Sequence, residues 1–389
     1  MSGASTDLCG ELVYNRTSRI QVVRARWNTI RCHKLVDNVI MQEPNIVSSR
    51  SKQAVKLDDV AALAKVSPST VSLYVRHPEK VSEKTGRKIQ QAIDELGYVH
   101  NKIASQFTAG RSSSMAVIVP SISNITFSSF VQQIEHIVSE AGFQLYIASH
   151  DHSMEKEEQQ VRSILQWSPA AIALTGAKHS EATIRMLQHS GVPVVQAWQV
   201  GEQSPFPAQV GIDHVKIGHD AVQYLLRSGC QRIAYFTTRF ADDVRAQSRY
   251  AGFCQALNEA GIPPLLVEIP HSENIYPAAR EALIKALIKE RNLDGIFASN
   301  DMIATALLME TVERNIRVPE QLSILGFGDF PSSGYLAPVT LSSININTDK
   351  VASRTAAMML AMAHKADYAG EIVDVGFDLI PRQSTRFVL

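Results

Sequence analysis

Between Lys56 and Gly97 apolar residues recur at helical spacing, break once over a tight connection, and resume, which confines this stretch to short helices packed on one another. Leu57, Val60, Ala61 and Ala64 make one stripe, with Asp58 and Asp59 in the first turn, where negative charge suits the helix dipole. Lys65 and Val66 leave room only for a tight turn. Ser67 then offers a capping hydroxyl, and Pro68 suits the first helical position because it has no N–H to satisfy. A second helix over 68–75 turns Val71 and Val75 inward and leaves Ser69, Thr70, Ser72 and Leu73 outside. Ser82 and Thr85 open a third helix over 83–96, with Ile89, Ala92, Ile93 and Leu96 inward and Gly97 as its stop. Helix, tight turn, helix is an all-α unit whose second helix enters the major groove of DNA.

Charge separates this unit from an ordinary helical bundle with a solvated basic face. From Arg50 to Arg111 there are eleven Lys and Arg against six Asp and Glu, whereas the whole chain balances at 38 of each. A positive surplus gathered at one end points to a polyanionic partner, here double-stranded DNA.

From Met115 the pattern changes. Short apolar runs without polar alternation (115–119, 145–148, 170–174, 192–197, 232–236, 295–298, 322–325) alternate with amphipathic helical stretches, several ended by glycines such as Gly142, Gly191, Gly229 and Gly261. Such strands imply parallel sheets covered on both faces, and their number suits two sheets side by side. Ligands of open α/β sheets bind beyond the carboxyl ends of the strands. The segments at those ends bring forward Asn124, Thr126 and Phe127, then His150 to His152, Thr175, Trp198, Arg249, Asn300 with Asp301, and Asp329. An Arg/Asp pair suits a polyol, and an aromatic ring suits a sugar's C–H face. Trp198 reads equally well as a packed aromatic, and the lesser alternative for Asp301 is a cap of the next helix. His150, Asp151 and His152 are adjacent and cannot all converge on one metal ion, so no metal and no cofactor is expected.

A chain of 389 residues holds two or three domains. Cys9, Cys32, Cys230 and Cys254 lack metal spacing and read as reduced thiols of a cytoplasmic protein; Cys32 with His33 is too few ligands for zinc. No apolar run reaches the roughly 18 residues of a membrane span, and the first fifty residues lack the apolar core of a secretory signal. That basic opening segment reads either as a disordered arm or as an overlong start with initiation at Met41, and we expect the latter. GxSxG, GxxxxGK[ST] and helix-opening GxGxxG motifs are absent, GFGDF lacks the phosphate-loop pattern, and no enzyme is expected. The competing classes are a cytosolic sugar-binding protein and an α/β enzyme without operator specificity.

The strings VSPSTVS, VSEKTGRKIQQAIDELGYVHN and NKIASQFTAGR resemble the LacI/GalR family of bacterial transcription repressors, and the likeness runs from about Lys56 to the C-terminus. The resemblance implies a DNA-binding domain over 55–100, a hinge helix and linker over 101–112, and a two-lobed periplasmic-binding-protein-like effector domain over 115–389. It implies lobe one at 115–211 plus 327–347 and lobe two at 213–326 plus 348–389. Ser67, Ser69, Thr70, Ser72 and Arg76 are then DNA contacts, Arg76, Lys84, Arg87 and Lys102 serve phosphates, and Asn101, Lys102 and Ala104 belong to the hinge. Phe107 would be the wedge that opens a base step in the minor groove. Positions matching Phe127, Arg249 and Asp301 contact the effector in the family. A homodimer, or a dimer of dimers, follows on a pseudo-palindromic operator. Two departures stand out: Leu73 where the family commonly has Arg, and His100 where Pro is common.

NITFSSF, ALTGAKH, VVQAWQ and DVGFDLIPRQST look most like gluconate- and ketogluconate-responsive repressors. A sugar acid calls for a cation in the cleft, which Arg249 supplies and Lys178 or Arg245 would supplement. A neutral sugar is the alternative.

Overall fold

The computed structural model describes residues 55–99, 112–201, 204–272, 274–364 and 370–387. The expectations for 1–54 and for the hinge, with Asn101, Lys102, Ala104 and Phe107, lie outside the described residues. The chain divides into two compact units after His100.

In the first unit, α1 (Leu57–Ala64), α2 (Pro68–Arg76) and α3 (Glu83–Leu96) close around Val60, Ala61, Ala64, Val71, Ile89 and Ala92. The Ser67 hydroxyl accepts from the Thr70 N–H at 3.2 Å and so caps α2. Lys65 takes the left-handed conformation (φ 56°) that turns the chain from α1 into α2. α3 fits closely under α2: a Cβ on Gly86 would lie 2.8 Å from the Tyr74 ring.

The second unit holds two six-stranded sheets. β1 (Ser114–Val119), β2 (Gln144–Ser149), β3 (Ile172–Thr175), β4 (Val194–Gln199) and β5 (Ala208–Ile212) build the first sheet. β6 (Ile233–Thr238), β7 (Leu265–Ile269), β8 (Gly295–Ala298), β9 (Ser323–Phe327) and β10 (Ser342–Asn345) build the second. β11 (Ile372–Asp374) completes the first beside β5, and β12 (Asp378–Ile380) completes the second beside β10. The orders are β11-β5-β4-β3-β1-β2 and β12-β10-β9-β8-β6-β7. Every pairing is parallel except β10 with β12. Central strands are buried throughout, which is why they read as unbroken apolar runs. Among the described residues no helix is long and apolar enough to cross a membrane.

The lobe boundaries need correction. The segment 327–347, expected in lobe one, stays in lobe two, because β10 pairs with β9. The helix Thr348–His364, expected in lobe two, packs on the helix Ile125–Glu140 and on β4 and β5 of lobe one. The physical anchor is Asp301, whose buried carboxylate accepts from the Phe330 N–H at 2.8 Å and from the Ser333 and Ser343 hydroxyls at 2.6 Å each. It ties the loop after β9 to lobe two, so the chain crosses between lobes after β5, after β10 and between β11 and β12.

Two lobe-two helices, His214–Arg227 and Val244–Glu259, cross with their backbones in contact. A Cβ on Gly218 would lie 1.8 Å from the Arg249 carbonyl oxygen, and one on Gly252 would lie 1.8 Å from that of Val215. Only glycine fits at either point.

Candidate effector cleft and DNA-contact face

A cavity of about 130 Å³ opens between the lobes at the carboxyl ends of the strands. Lobe one contributes a wall with Asn124, Phe127 and Trp198; lobe two contributes Arg245, Arg249, Asn300 and Phe327. Asn124 and Asn300 are both helix caps whose side-chain oxygens accept backbone N–H groups, from Thr126 at 3.0 Å and from Ile303 at 2.9 Å. That leaves the two amide NH₂ groups at the cavity wall as donors.

Arg249 is 4% exposed and stacks over the Phe327 ring at 4.1 Å. One of its terminal nitrogens donates to His214 Nδ1 at 3.1 Å and the other to the Ser299 carbonyl at 3.4 Å. Because Nδ1 accepts, His214 is neutral and carries its proton on Nε2, which donates to the Trp198 carbonyl at 3.0 Å. Burial, reinforced by the Arg249 charge, holds His214 well below the usual imidazole range.

Arg245 lies over the Phe127 ring at 5.1 Å, and its Nε is 3.6 Å from Asp243. Burial opposes ionisation of Asp243, but the Arg245 and Arg249 charges prevail and hold its pKa at about 2. Asp243 also caps its helix, accepting from the Arg245 and Ala246 N–H groups. Trp198 packs edge-on to Phe127 and tilted against Phe130, with its backbone in the left-handed region at φ 75°. A bulky residue held there stores strain, a common mark of a functional site.

Three buried donors around this cavity have no acceptor: Arg245 Nη1, Arg249 Nε and Trp198 Nε1. Buried donors are normally paired, so this cluster is arranged for acceptor oxygens from elsewhere. The lining carries three arginines, Arg239, Arg245 and Arg249, against the single carboxylate of Asp243. At the rim Arg239 of lobe two reaches Asp151 of lobe one at 3.4 Å.

Of the residues expected at the effector, Asn124, Phe127, Trp198, Arg249 and Asn300 meet in the cavity. Thr175, Asp301 and Asp329 do not line it. Thr175 is buried and donates to the Ile118 carbonyl at 3.0 Å. Asp301 anchors the loop after β9, and Asn300 rather than Asp301 is the cap. Asp329 pairs with Arg382 at 2.7 Å and accepts from Asn345 at 3.2 Å. Lys178 is exposed and not in the lining. The sequence reading missed Asp243, His214 and Phe327; neither a polar residue at a helix start nor an aromatic at the end of a buried strand carries a mark of a cavity beside it. His150, Asp151 and His152 diverge, towards Glu157, towards Arg239 and into the cavity lining respectively.

On the first unit, Ser69, Leu73 and Arg76 form the exposed face of α2, with Thr70 and Ser72 half-buried beside them. The Ser67 hydroxyl stands 2.7 Å from those of Ser69 and Thr70. Arg76 Nε donates to the Ser72 carbonyl at 3.3 Å. Lys84 and Arg87 are exposed on α3, Arg87 paired with Glu83.

Comparison with known proteins gives the same division. Residues 56–101 match the model of bacterial regulatory proteins of the lacI family, and 222–385 match that of a periplasmic binding protein-like domain. The HTH-type transcriptional regulator GntR of Pseudomonas aeruginosa is 32% identical over 343 residues, covering 88% of this chain and 98% of its own. The HTH-type transcriptional regulator IdnR of Escherichia coli K12 is 30% identical over 327 residues, covering 84% and 97%. A crystal structure of a LacI family transcriptional regulator from Silicibacter pomeroyi superposes with a TM-score of 0.78 at 29% identity, covering 85% of this chain and 99% of that one.

Proposed function

The chain belongs to the LacI family of bacterial regulatory proteins, whose members similar to it are transcriptional regulators rather than enzymes, and on that premise we propose that it represses a carbohydrate-utilisation operon under control of a sugar acid such as gluconate. The observation that carries the effector class is the set of acceptorless buried donors, Arg245 Nη1, Arg249 Nε and Trp198 Nε1, in a lining with more arginine than carboxylate. A carboxylate satisfies guanidinium donors with charge-assisted hydrogen bonds, and polyol hydroxyls suit the Asn124 and Asn300 amides. A neutral sugar would leave the excess positive charge of the lining uncompensated.

The protein works as a homodimer, each headpiece on one half-site of a pseudo-palindromic operator. Ser67, Ser69, Thr70 and Ser72 approach the duplex from α2, with Arg76 at the phosphates; Asn101, Lys102, Ala104 and Phe107 act from the hinge. The effector binds residues of both lobes and favours the geometry that brings them together. It acts through its differential affinity for the two states, about 1–3 kcal/mol in typical couplings.

Fluorescence anisotropy on DNA from the gene's own upstream region, at fixed salt with and without gluconate, tests this reading. We expect tight, sequence-dependent binding that gluconate shifts; release marks an inducer and tightening a corepressor. Calorimetry with gluconate, 2-ketogluconate and neutral hexoses separates the effector classes, and binding of neutral hexoses alone would end the sugar-acid proposal.

A further inference from the structure

We propose that Leu73 reads a thymine methyl group in each operator half-site, so that the base pair beneath it is A·T. The inference rests on the DNA-binding reading above. α2 sets Ser69, Leu73 and Arg76 on one exposed face, at i, i+4 and i+7, opposite the buried Val71. The other large apolar side chains of α2 are engaged: Val71 is in the core, Tyr74 packs on Gly86 and reaches Gln90, and Val75 packs against the core. Leu73 is 39% exposed and belongs to no apolar cluster of the headpiece.

One exposed leucine is ordinary on a protein surface. Its place here is not, because the second helix of this motif enters the major groove. Base edges in that groove present hydrogen-bonding groups at every pair and one apolar feature, the C5-methyl of thymine. Leucine has neither donor nor acceptor. Over a G·C pair it would strip water from guanine N7 and O6 or from the cytosine amino group and return nothing, which is the cost of an unsatisfied polar group. Over thymine it exchanges water for methyl contact. The neighbours supply the hydrogen bonding: Ser69 lies one turn before, and Arg76 folds back onto Ser72, leaving the Leu73 side chain uncovered.

The experiment selects duplexes from random-sequence DNA with the full chain. The selected duplex is then remade with each thymine in turn replaced by deoxyuridine, which deletes only the methyl group. We expect one symmetric thymine per half-site whose replacement weakens binding about fourfold, the worth of one buried methyl-sized group. Leu73→Ala should erase that discrimination, and Leu73→Arg should select guanine at the same step, since arginine pairs bidentately with guanine O6 and N7. Leu73 is exposed, so both variants retain the headpiece core. Wild-type binding indifferent to every thymine methyl, or discrimination that survives Leu73→Ala, would overturn the contact alone. Failure to select any sequence would overturn the regulator reading and the contact with it.

Discussion

Replacing Asp301 by alanine separates a structural carboxylate from a ligand contact. The Asp301 side chain is 1% exposed and takes three hydrogen bonds, from Phe330 N–H, Ser333 Oγ and Ser343 Oγ. Each buried donor left without a partner costs about 1–3 kcal/mol. The two hydroxyls can rotate towards other acceptors and the backbone N–H cannot, so we expect a loss of about 3–5 kcal/mol rather than the full sum. Asp301→Asn keeps the shape and one acceptor oxygen, and should lose roughly half as much. Denaturant unfolding of the full chain, followed by fluorescence, measures the loss, and calorimetry with gluconate measures the cleft. Alanine should lower stability sharply while the protein that remains folded binds effector within a few-fold of wild type. Unchanged stability together with abolished effector binding would refute this reasoning and return Asp301 to the cavity.

Three further outcomes follow from the geometry. Arg245→Met should weaken gluconate binding by about tenfold to a hundredfold, the value of a charge-assisted hydrogen bond, and leave any binding of neutral hexoses little changed; equal loss for both would remove the carboxylate role. Lys65→Gly should raise headpiece stability by about 1 kcal/mol, because Lys65 sits at φ 56°, ψ 47° where a side chain is strained; a destabilised variant in denaturant titration would count against that strain. His214 has a folded-state pKa depressed by burial and then by Arg249, so its contribution to stability is present above 6.5 and is lost as pH falls below it, at up to about 1.4 kcal/mol per pH unit. Unfolding titrations between about pH 7.5 and about pH 5 should show a steeper fall for wild type than for His214→Gln, and parallel slopes would refute the neutral-histidine assignment.

The headpiece was legible because its signals are local. Ser67 and Pro68 mark one helix start, Gly97 marks one helix end, and three stripes leave a single way to pack. The central strands were legible as apolar runs for the same reason. β5 escaped because Gln209 and Gly211 interrupt its apolar pattern, although all five residues are buried. The lobe exchange after β9 was misplaced because nothing in GFGDF tells which sheet the next strand joins; the answer lies in three hydrogen bonds to Asp301, far away in sequence. In the cleft, Arg249 was reached through the family resemblance, and it lies on the buried face of its helix with Ala246, Gly252 and Phe253. Asp301 and Asp329 lie off the cavity lining, each with protein partners; a carboxylate at a strand end looks the same in sequence whether it meets a ligand, a backbone N–H or an arginine. The acceptorless donors, which carry the effector class, are a property of three residues from separate elements and cannot be read from any one segment.

The close backbone approach at Gly218 and Gly252 has a consequence for anyone who wishes to retune what this protein senses. With backbone against backbone there is no side-chain layer to repack, so the two helices that carry His214 and Arg249 are fused into one slab. Variation at the crossing itself has no room, since adding a single carbon at either glycine collides with a carbonyl oxygen, so the two helices keep their relative placement. The opposite wall is built from Phe127 and Trp198, whose rings meet each other edge-on, so that wall is made of side chains rather than of backbone. New ligand preferences are therefore to be sought on the aromatic wall, with the arginine slab kept as a fixed anvil against which each candidate is pressed.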